Sequence, residues 1–351
     1  MATGSALVTG IGSGILPIPV PDDKIYVDYI FLNQTRFGFC MKSKILNFEP
    51  KCLKDYPGSD MVMFDSLTEE KDPRPEMWLV PATRGEPAVV NMRRPCLDIL
   101  ATVKDKQPWF GIEQEYFLED NRGDLVGWLA NHRNLKLRDF YGAVGMTPTA
   151  AIEREIAEVH SQACLHAGIK FAGINREDSP GQWEYQIGPT EGIAAADDLV
   201  MSRVLLDRVA EMYGYNVNYL PKPVEYCLPG SGVHINFSTE EMRQEGGIKY
   251  IRAAMERVAS VDQDKLLECY DVKWGEENKK RLTGQYYVPD VSNFRMGVAD
   301  KWASLRIPPL VAERNCGYFE ERRPSSNCDI YTAIAAFTKA AMFGENYICP
   351  R

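Results

Sequence analysis

Between Trp109 and Asp120 the chain reads Trp109-Phe-Gly-Ile-Glu-Gln-Glu-Tyr-Phe-Leu-Glu-Asp120, an aromatic and apolar run with two carboxylates in its middle. This composition predicts a β-strand, and in a strand alternate side chains share a face. Glu113 and Glu115 then point one way, while Ile112, Gln114 and Tyr116 point the other. Two like charges side by side on a half-buried sheet repel unless a cation lies between them. Oxygen ligands at period-two spacing suit Mg²⁺ or Mn²⁺. A solvated strand face explains the same pattern, so this stretch alone leaves both readings open.

The rest of the pattern supplies the elements around it. From about Lys24 to Val103, short β-type runs (Ile25 to Leu32, Met77 to Val80, Ala88 to Val90) alternate with turn residues and predict a small sheet domain, with Asp65 in a turn-prone loop after an apolar run. Gly123-Asp-Leu-Val-Gly-Trp128 predicts a hairpin turn and a return strand. Pro148 to Gly168 has apolar residues at three- and four-residue intervals and a terminal glycine, which predicts a helix. Its His160 and His166 do not share a helical face and are read as structural. Lys170 to Pro189 reads as strand, Pro-Gly turn, strand, with Glu177 before the turn and Glu184 after it. Helices are predicted over about Ala194 to Tyr213 and about Gly246 to Leu267. Between them, Pro229-Gly-Ser-Gly-Val-His-Ile-Asn-Phe-Ser-Thr239 is a Gly-rich turn feeding a strand that puts His234, Asn236 and Ser238 on one face, a pattern that points to ligand contact. In Gly317 to Asn327, Tyr318, Glu320 and Arg322 share a face if the chain is extended. A carboxylate beside a guanidinium can hold a metal and an anion together; a surface ion pair is the other reading.

Composition narrows the function. The 351 residues suffice for two domains, and 45% hydrophobic with 25% charged residues is ordinary for a soluble chain. A net charge of −9 without a basic run disfavours nucleic acid as a partner. No apolar run approaches a membrane span, and the start, Met1-Ala-Thr-Gly-Ser5, lacks the basic segment of a signal peptide. Nine cysteines without a C-x-x-C pair argue against a disulfide framework and a zinc site, and fit a reducing cytoplasm.

Five motifs, in order, resemble the glutamine synthetase family of the eukaryotic type: Trp109 to Tyr116, Pro180-Gly-Gln-Trp-Glu-Tyr-Gln-Ile-Gly-Pro189, Gly232-Val-His-Ile-Asn-Phe-Ser-Thr239, Arg281-Leu-Thr-Gly284 and Gly317-Tyr-Phe-Glu-Glu-Arg-Arg-Pro-Ser-Ser-Asn327. The resemblance implies an α+β fold: a loose arm (1–23), a small β-grasp-like domain (24–104), and a catalytic domain (105–351) whose antiparallel strands form a funnel with flanking helices. It implies small-molecule amino-acid and amine substrates and a homo-oligomeric double ring, a decamer, with each site completed by a neighbour's N-terminal domain. It also implies ATP and two or three Mg²⁺ or Mn²⁺ ions. One ion would be held by Glu113, His234 and Glu320, another by Glu115, Glu177 and Glu184. Asn236, Ser238, Arg306 and Tyr318 would contact the nucleotide, Arg281 the substrate's α-carboxylate, and Arg322 the carboxylate being phosphorylated.

The departures fall on the amino-acid and ammonia side. Where the family places a glutamate that closes over the acyl phosphate and draws a proton from ammonium, this chain has Tyr287, and an ordinary phenol is a poor base at pH 7. An Asn-Gly that touches substrate glutamate is Pro229-Gly230 here. Lys301 replaces an arginine at the transferred phosphoryl group, and Asp65 is the candidate for a loop aspartate that binds ammonium. The expected function is an ATP- and metal-dependent carboxylate–amine ligase acting on a non-standard amine or amino acid. The alternatives are a non-catalytic assembly or binding protein, a true glutamine synthetase, and an amino-acid kinase.

Overall fold

Strand alternation and helical periodicity both carry into the computed structural model, which describes residues 24–33, 38–48, 51, 63–64, 82–83, 92–127, 141–145, 149–224, 229–271 and 276–348. The elements are β1 (Ile25–Asn33), β2 (Gly38–Leu46), β3 (Met63–Phe64), β4 (Ala82–Thr83), α1 (Arg93–Ala101), β5 (Trp109–Glu119), α2 (Ala150–His166), β6 (Phe171–Arg176), β7 (Gln182–Glu191), α3 (Ala194–Met212) and β8 (Asn216–Asn218). There follow β9 (Val233–Ser238), α4 (Glu240–Arg243), α5 (Ile248–Ser260), α6 (Gln263–Glu268), α7 (Glu276–Arg281), β10 (Met296–Val298), β11 (Leu305–Ile307), α8 (Pro309–Arg314), β12 (Phe319–Glu321) and α9 (Ile330–Phe343).

The chain divides into two compact units, Met1–Arg94 and Pro95–Arg351. In the first, β1 pairs antiparallel with β2, Ile25 opposite Leu46, and β3 pairs with β4. The runs at Met77 and Ala88, and Asp65 itself, lie outside the described residues.

The second unit is organised on an eight-stranded sheet in the order β10-β11-β12-β9-β5-β7-β6, with β8 also on β5. The pairs are antiparallel except β10 with β11, which is parallel; the expectation of antiparallel strands fails at this edge. There Ala299 turns back in the left-handed region (φ +56°), and the Ser304 amide donates to the Arg295 carbonyl at 2.8 Å, so a six-residue loop returns the chain in the same direction.

On β5 the alternation is realised: Phe110, Ile112, Gln114 and Tyr116 are buried, while Glu113 and Glu115 lie on the opposite, half-buried face. Behind the sheet, Phe237 packs against Phe110, Phe319 and Phe337 with ring centroids 5.3 to 5.9 Å apart. Phe337 comes from α9, a largely apolar helix that buries most of its residues. Gln114 is fully buried because every part of its amide is used. Its Nε2 donates to Ser326 Oγ at 2.8 Å, and its Oε1 accepts from Arg203 Nε and Nη2 at 2.9 and 2.7 Å.

The helix expected from Pro148 is α2, and His160 is buried beneath it against Tyr185 (4.8 Å between rings), in the structural role expected. The helix expected from Gly246 to Leu267 is two helices. Val261 is extended (ψ 163°), and Asp262 accepts from the Asp264 and Lys265 amides as the N-cap of α6, so a carboxylate suited to capping breaks an otherwise continuous apolar pattern. Of the return strand expected over Gly123 to Trp128, the described residues show a bridge between Glu119 and Leu125. Among the described residues no helix is long and apolar enough to cross a membrane.

Candidate active site

Register assembles the site. Antiparallel pairing sets Glu113 of β5 opposite His234 of β9 and Glu115 opposite Glu184 of β7. It also sets Glu320 of β12 opposite Asn236 on one side and Arg306 of β11 on the other. The β6–β7 hairpin brings Glu177 back to Glu184. Two trios result, Glu113–His234–Glu320 and Glu115–Glu177–Glu184, each offering ligand atoms within 4.8 Å of one another. They meet at one cavity of about 330 Å³, lined by all of them except Glu320 and also by Arg281, Lys301, Arg306 and Arg322.

The first trio is held from outside. Asn236 Nδ2 donates to Glu113 Oε1 at 2.7 Å. Glu320 accepts from Arg322 Nη1 at 2.6 Å and Arg306 Nη1 at 3.0 Å. His234 Nδ1 lies 3.2 Å from Glu113 Oε2 and 3.3 Å from Glu320 Oε1. Burial, reinforced by the Arg322 charge, lowers the imidazole to about 4, so near pH 7 it is neutral and free to give a lone pair to a metal.

The second trio has hydrogen bonds but, among the described residues, no arginine in ion-pair contact. The Gly232 amide donates to Glu115 Oε2 at 2.6 Å, Asn175 Nδ2 to Glu177 Oε1 at 2.8 Å, and Gln186 Nε2 to Glu184 Oε1. Burial, then the Glu115 and Asp178 charges, raises Glu177 to about 8. Burial and the carboxylates of Glu113, Glu177 and Glu115 push Glu184 well above the ordinary range. Three converging carboxylates at this cost fit a divalent cation, which reverses the sign of every one of those interactions. Oxygen donors in one trio, and two carboxylates with an imidazole in the other, suit Mg²⁺ or Mn²⁺.

The arginines are tightly engaged. Buried Arg281 donates Nε to Asn278 Oδ1 at 3.1 Å and Nη2 to the carbonyls of Arg323 and Pro324 at 2.7 and 3.0 Å, and burial lowers it to about 10. Only its Nη1 is unspent in this way. Gly232 is required beside it, because a Cβ there would meet Arg281 Nη1 at 2.7 Å. At Gly230 (φ +78°) a Cβ would meet the Pro221 carbonyl at 2.1 Å, and the Gly230 carbonyl accepts from Gln182 Nε2 at 2.8 Å. Arg322 also donates Nη2 to the Tyr287 carbonyl at 3.2 Å, while the Nε atoms of Arg306 and Arg322 are buried without a partner.

Tyr287 is held on its ring as well. Its centroid is 4.8 Å from that of Trp302, and Lys301 Nζ lies 5.2 Å from it. Two departures read separately in the sequence, Tyr287 and Lys301, are thus in contact. Tyr318 is 40% exposed; partial burial and the nearby Glu113 and Glu320 raise its phenol. Ser238 is not brought to the cavity. It lies one strand pair beyond Asn236, opposite Trp109, and accepts from Arg243 Nη1 at 3.0 Å.

Several residues at the site escaped sequence reading. Asn175 and Gln186 each stand two positions from a trio carboxylate, so strand period was a usable signal for them. Asn278 precedes Arg281 by one helical turn, a usable signal too. Tyr141, Asp178 and Tyr286 also line the cavity, and for Tyr141 the sequence offered none.

Comparison with known proteins is consistent throughout. Residues 97–246 match the family model for the glutamine synthetase catalytic domain. The chain is 37% identical to the glutamine synthetase of Bos taurus over 98% of its own length and 97% of that protein's, and 36% identical to that of Homo sapiens over 98% and 96%. A crystal structure described as a novel glutamine synthase homolog superposes with a TM-score of 0.54 at 19% identity, covering 76% of this chain and 62%, under two thirds, of that one. That likeness bears on the fold alone.

Proposed function

The chain belongs to the glutamine synthetase family of ATP-dependent, Mg²⁺- or Mn²⁺-using amide-forming ligases, and we propose that it keeps the family's carboxylate activation while joining the activated acid to an amine other than ammonia, or acting on an amino acid other than glutamate. The observation that carries the reading is the pair of trios meeting at one cavity that four cationic side chains also line. Phosphoryl transfer between anions needs that density of positive charge, and bound divalent ions supply the neutralisation that guanidinium groups alone do not.

In this reading Glu113, His234 and Glu320 hold one ion and Glu115, Glu177 and Glu184 another. Arg306 and Lys301 face the transferred phosphoryl group, Arg322 the accepting carboxylate, and Arg281 the fixed end of the amino acid. Asn236 and Tyr318 serve the nucleotide, and Pro229 and Gly230 shape the amino-acid side. A carboxylate oxygen takes the γ-phosphoryl group and ADP leaves. The amine nitrogen then forms its bond to the acyl carbon as the bond from that carbon to the phosphate-bearing oxygen breaks, releasing phosphate. The two protons that a primary ammonium sheds pass to phosphate and solvent. A cytoplasmic homo-oligomer, a decamer in a double ring, belongs to the same proposal, and solution mass by light scattering tests it.

The direct test is ADP release from MgATP with a panel of amino acids, glutamate included, each with and without ammonium and organic amines. Release requiring one acid and one amine establishes the ligase. Release with ammonium alone would make it a true glutamine synthetase, release without an amine a kinase, and no release with any pair would overturn the proposal. Tyr287→Glu should raise the use of ammonium.

A further inference from the structure

The turn that carries the two tyrosines is closed by a Thr283–Asp290 bridge, with the Val288 amide donating to the Gln285 carbonyl at 3.0 Å and the Gly284 amide to the Pro289 carbonyl at 3.1 Å. Its central residues, Tyr286 (φ +53°) and Tyr287 (φ +64°), both lie in the left-handed region. Glycine and asparagine take such positions without strain, and bulky aromatic residues persist there only when their surroundings fix them. For Tyr287 the fixing is visible: Arg322 on its carbonyl, Trp302 and Lys301 on its ring. Tyr286 makes no ring contact or side-chain hydrogen bond among the described residues, is 43% exposed, and lines the cavity. Tyr287 thus anchors a strained turn whose product is a free aromatic surface at Tyr286.

The same cavity is lined by a further aromatic ring, Tyr141, which is 62% exposed, and by Asp178. Asp178 belongs to neither trio. Aromatic faces beside carboxylates attract an ammonium that carries carbon, through both the ring quadrupole and burial of the carbon body. Ammonium itself has no carbon to bury and depends on carboxylates to leave water, while the turn closest to Arg322 presents a phenol. The amino-acid end is altered less, since Arg281 is retained and rigidly placed.

We infer that the acyl acceptor is a primary organic amine whose apolar chain packs against Tyr286, in the cavity that Tyr141 and Asp178 also line. This rests on the ligase reading above and names its second substrate by class. Tyr286 is a specificity residue here, and Tyr287 a positioning residue that holds it.

The test uses the full-length protein with MgATP and whichever amino acid gives most ADP, against ammonium and methyl-, ethyl-, propyl- and butylamine. These alkylamines are of similar basicity, so the series reports burial of carbon. The expected kcat/KM for amine rises about fourfold per methylene, with ammonium lowest. Tyr286→Ala flattens the series while MgATP still raises the melting temperature, and Tyr286→Phe keeps the slope. Ammonium as the best acceptor, a flat series in the wild type, or a slope that survives in Tyr286→Ala would each overturn the inference and leave the ligase standing. No ADP with any amine would remove the ligase itself.

Discussion

Buried carboxylates occur in two settings in the second unit, and they are stabilised differently. Glu153 of α2 and Glu321 of β12 are fully buried and face arginines. Glu153 Oε2 lies 2.9 Å from Arg176 Nη2 with side-chain exposures of 0% and 1%. Glu321 takes Arg323 Nε and Nη2 bidentately at 2.8 and 2.6 Å, with Tyr270 Oη donating at 3.3 Å. Glu115, Glu177 and Glu184 face one another and take their hydrogen bonds from amides, with Arg281 and Arg322 near Glu115 but in no ion pair with it among the described residues. For these two buried carboxylates the fold supplies the guanidinium from its own chain. At the second trio no guanidinium forms an ion pair among the described residues, and a divalent cation from solution fits the three carboxylates.

The comparison is broken most severely at the trio. Glu184→Gln should reduce metal-dependent ADP release on the order of 10³-fold, while raising the melting temperature in EDTA, because a repelling charge is gone. An unchanged rate would mean that the trio holds no catalytic ion. Glu153→Gln should do the opposite. It strands a buried guanidinium and costs about 3–5 kcal/mol in urea unfolding, yet leaves the activity per folded molecule near that of the wild type. Glu153→Gln combined with Arg176→Met should recover most of that loss.

His160 sharpens the comparison with a third solution, a buried group kept neutral. Burial lowers it from 6.5 to about 4, against a hydrogen bond to the Ser202 carbonyl at 2.9 Å that acts the other way. The unfolded chain therefore takes up a proton at higher pH than the fold does. The resulting stability is present above pH 6.5 and is lost as pH falls through 4, amounting to about 3 kcal/mol at 1.4 kcal/mol per unit. Urea midpoints of wild type and His160→Gln should converge on acidification; parallel curves would count against a neutral His160. Mn²⁺ at a hundredfold excess over its Kd should stabilise the wild type by about 2.7 kcal/mol, and Glu184→Gln by much less, as read by thermal melting against EDTA. The smallest change is expected at Asn175→Ala, where the loss of an orienting amide should weaken metal affinity by about tenfold.

Much of this arrangement was legible in the order of residues. The period-two spacing of Glu113 and Glu115 was enough to place them on one face, and the Pro-Gly turn was enough to return Glu184 towards Glu177. What brings His234 and Glu320 to Glu113 is long-range strand register, which no local pattern encodes; only the resemblance of five motifs to a known family supplied it. The same resemblance assigned Ser238 to the nucleotide, whereas here it is spent on Arg243. The break between α5 and α6 was hidden because Val261 continues the apolar spacing and the capping role of Asp262 depends on its side-chain geometry. Tyr141 enters the cavity from a segment with no regular structure and so with no periodicity to read.

One property of β5 reaches beyond this chemistry. Glu113 and Glu115 belong to different trios yet are successive residues on one face of one strand, so their separation is two residue rises, about 6.7 Å. That distance is a dimension of the peptide main chain and not an adjustment of side chains or loops. Substitutions in the Tyr286 turn or at Gly230 can therefore retune what is recognised without moving the two charge centres. A single residue inserted between Glu113 and Glu115 would send one of them to the opposite face. The strand thus works as a fixed gauge, and the loops around it are free to set what is recognised.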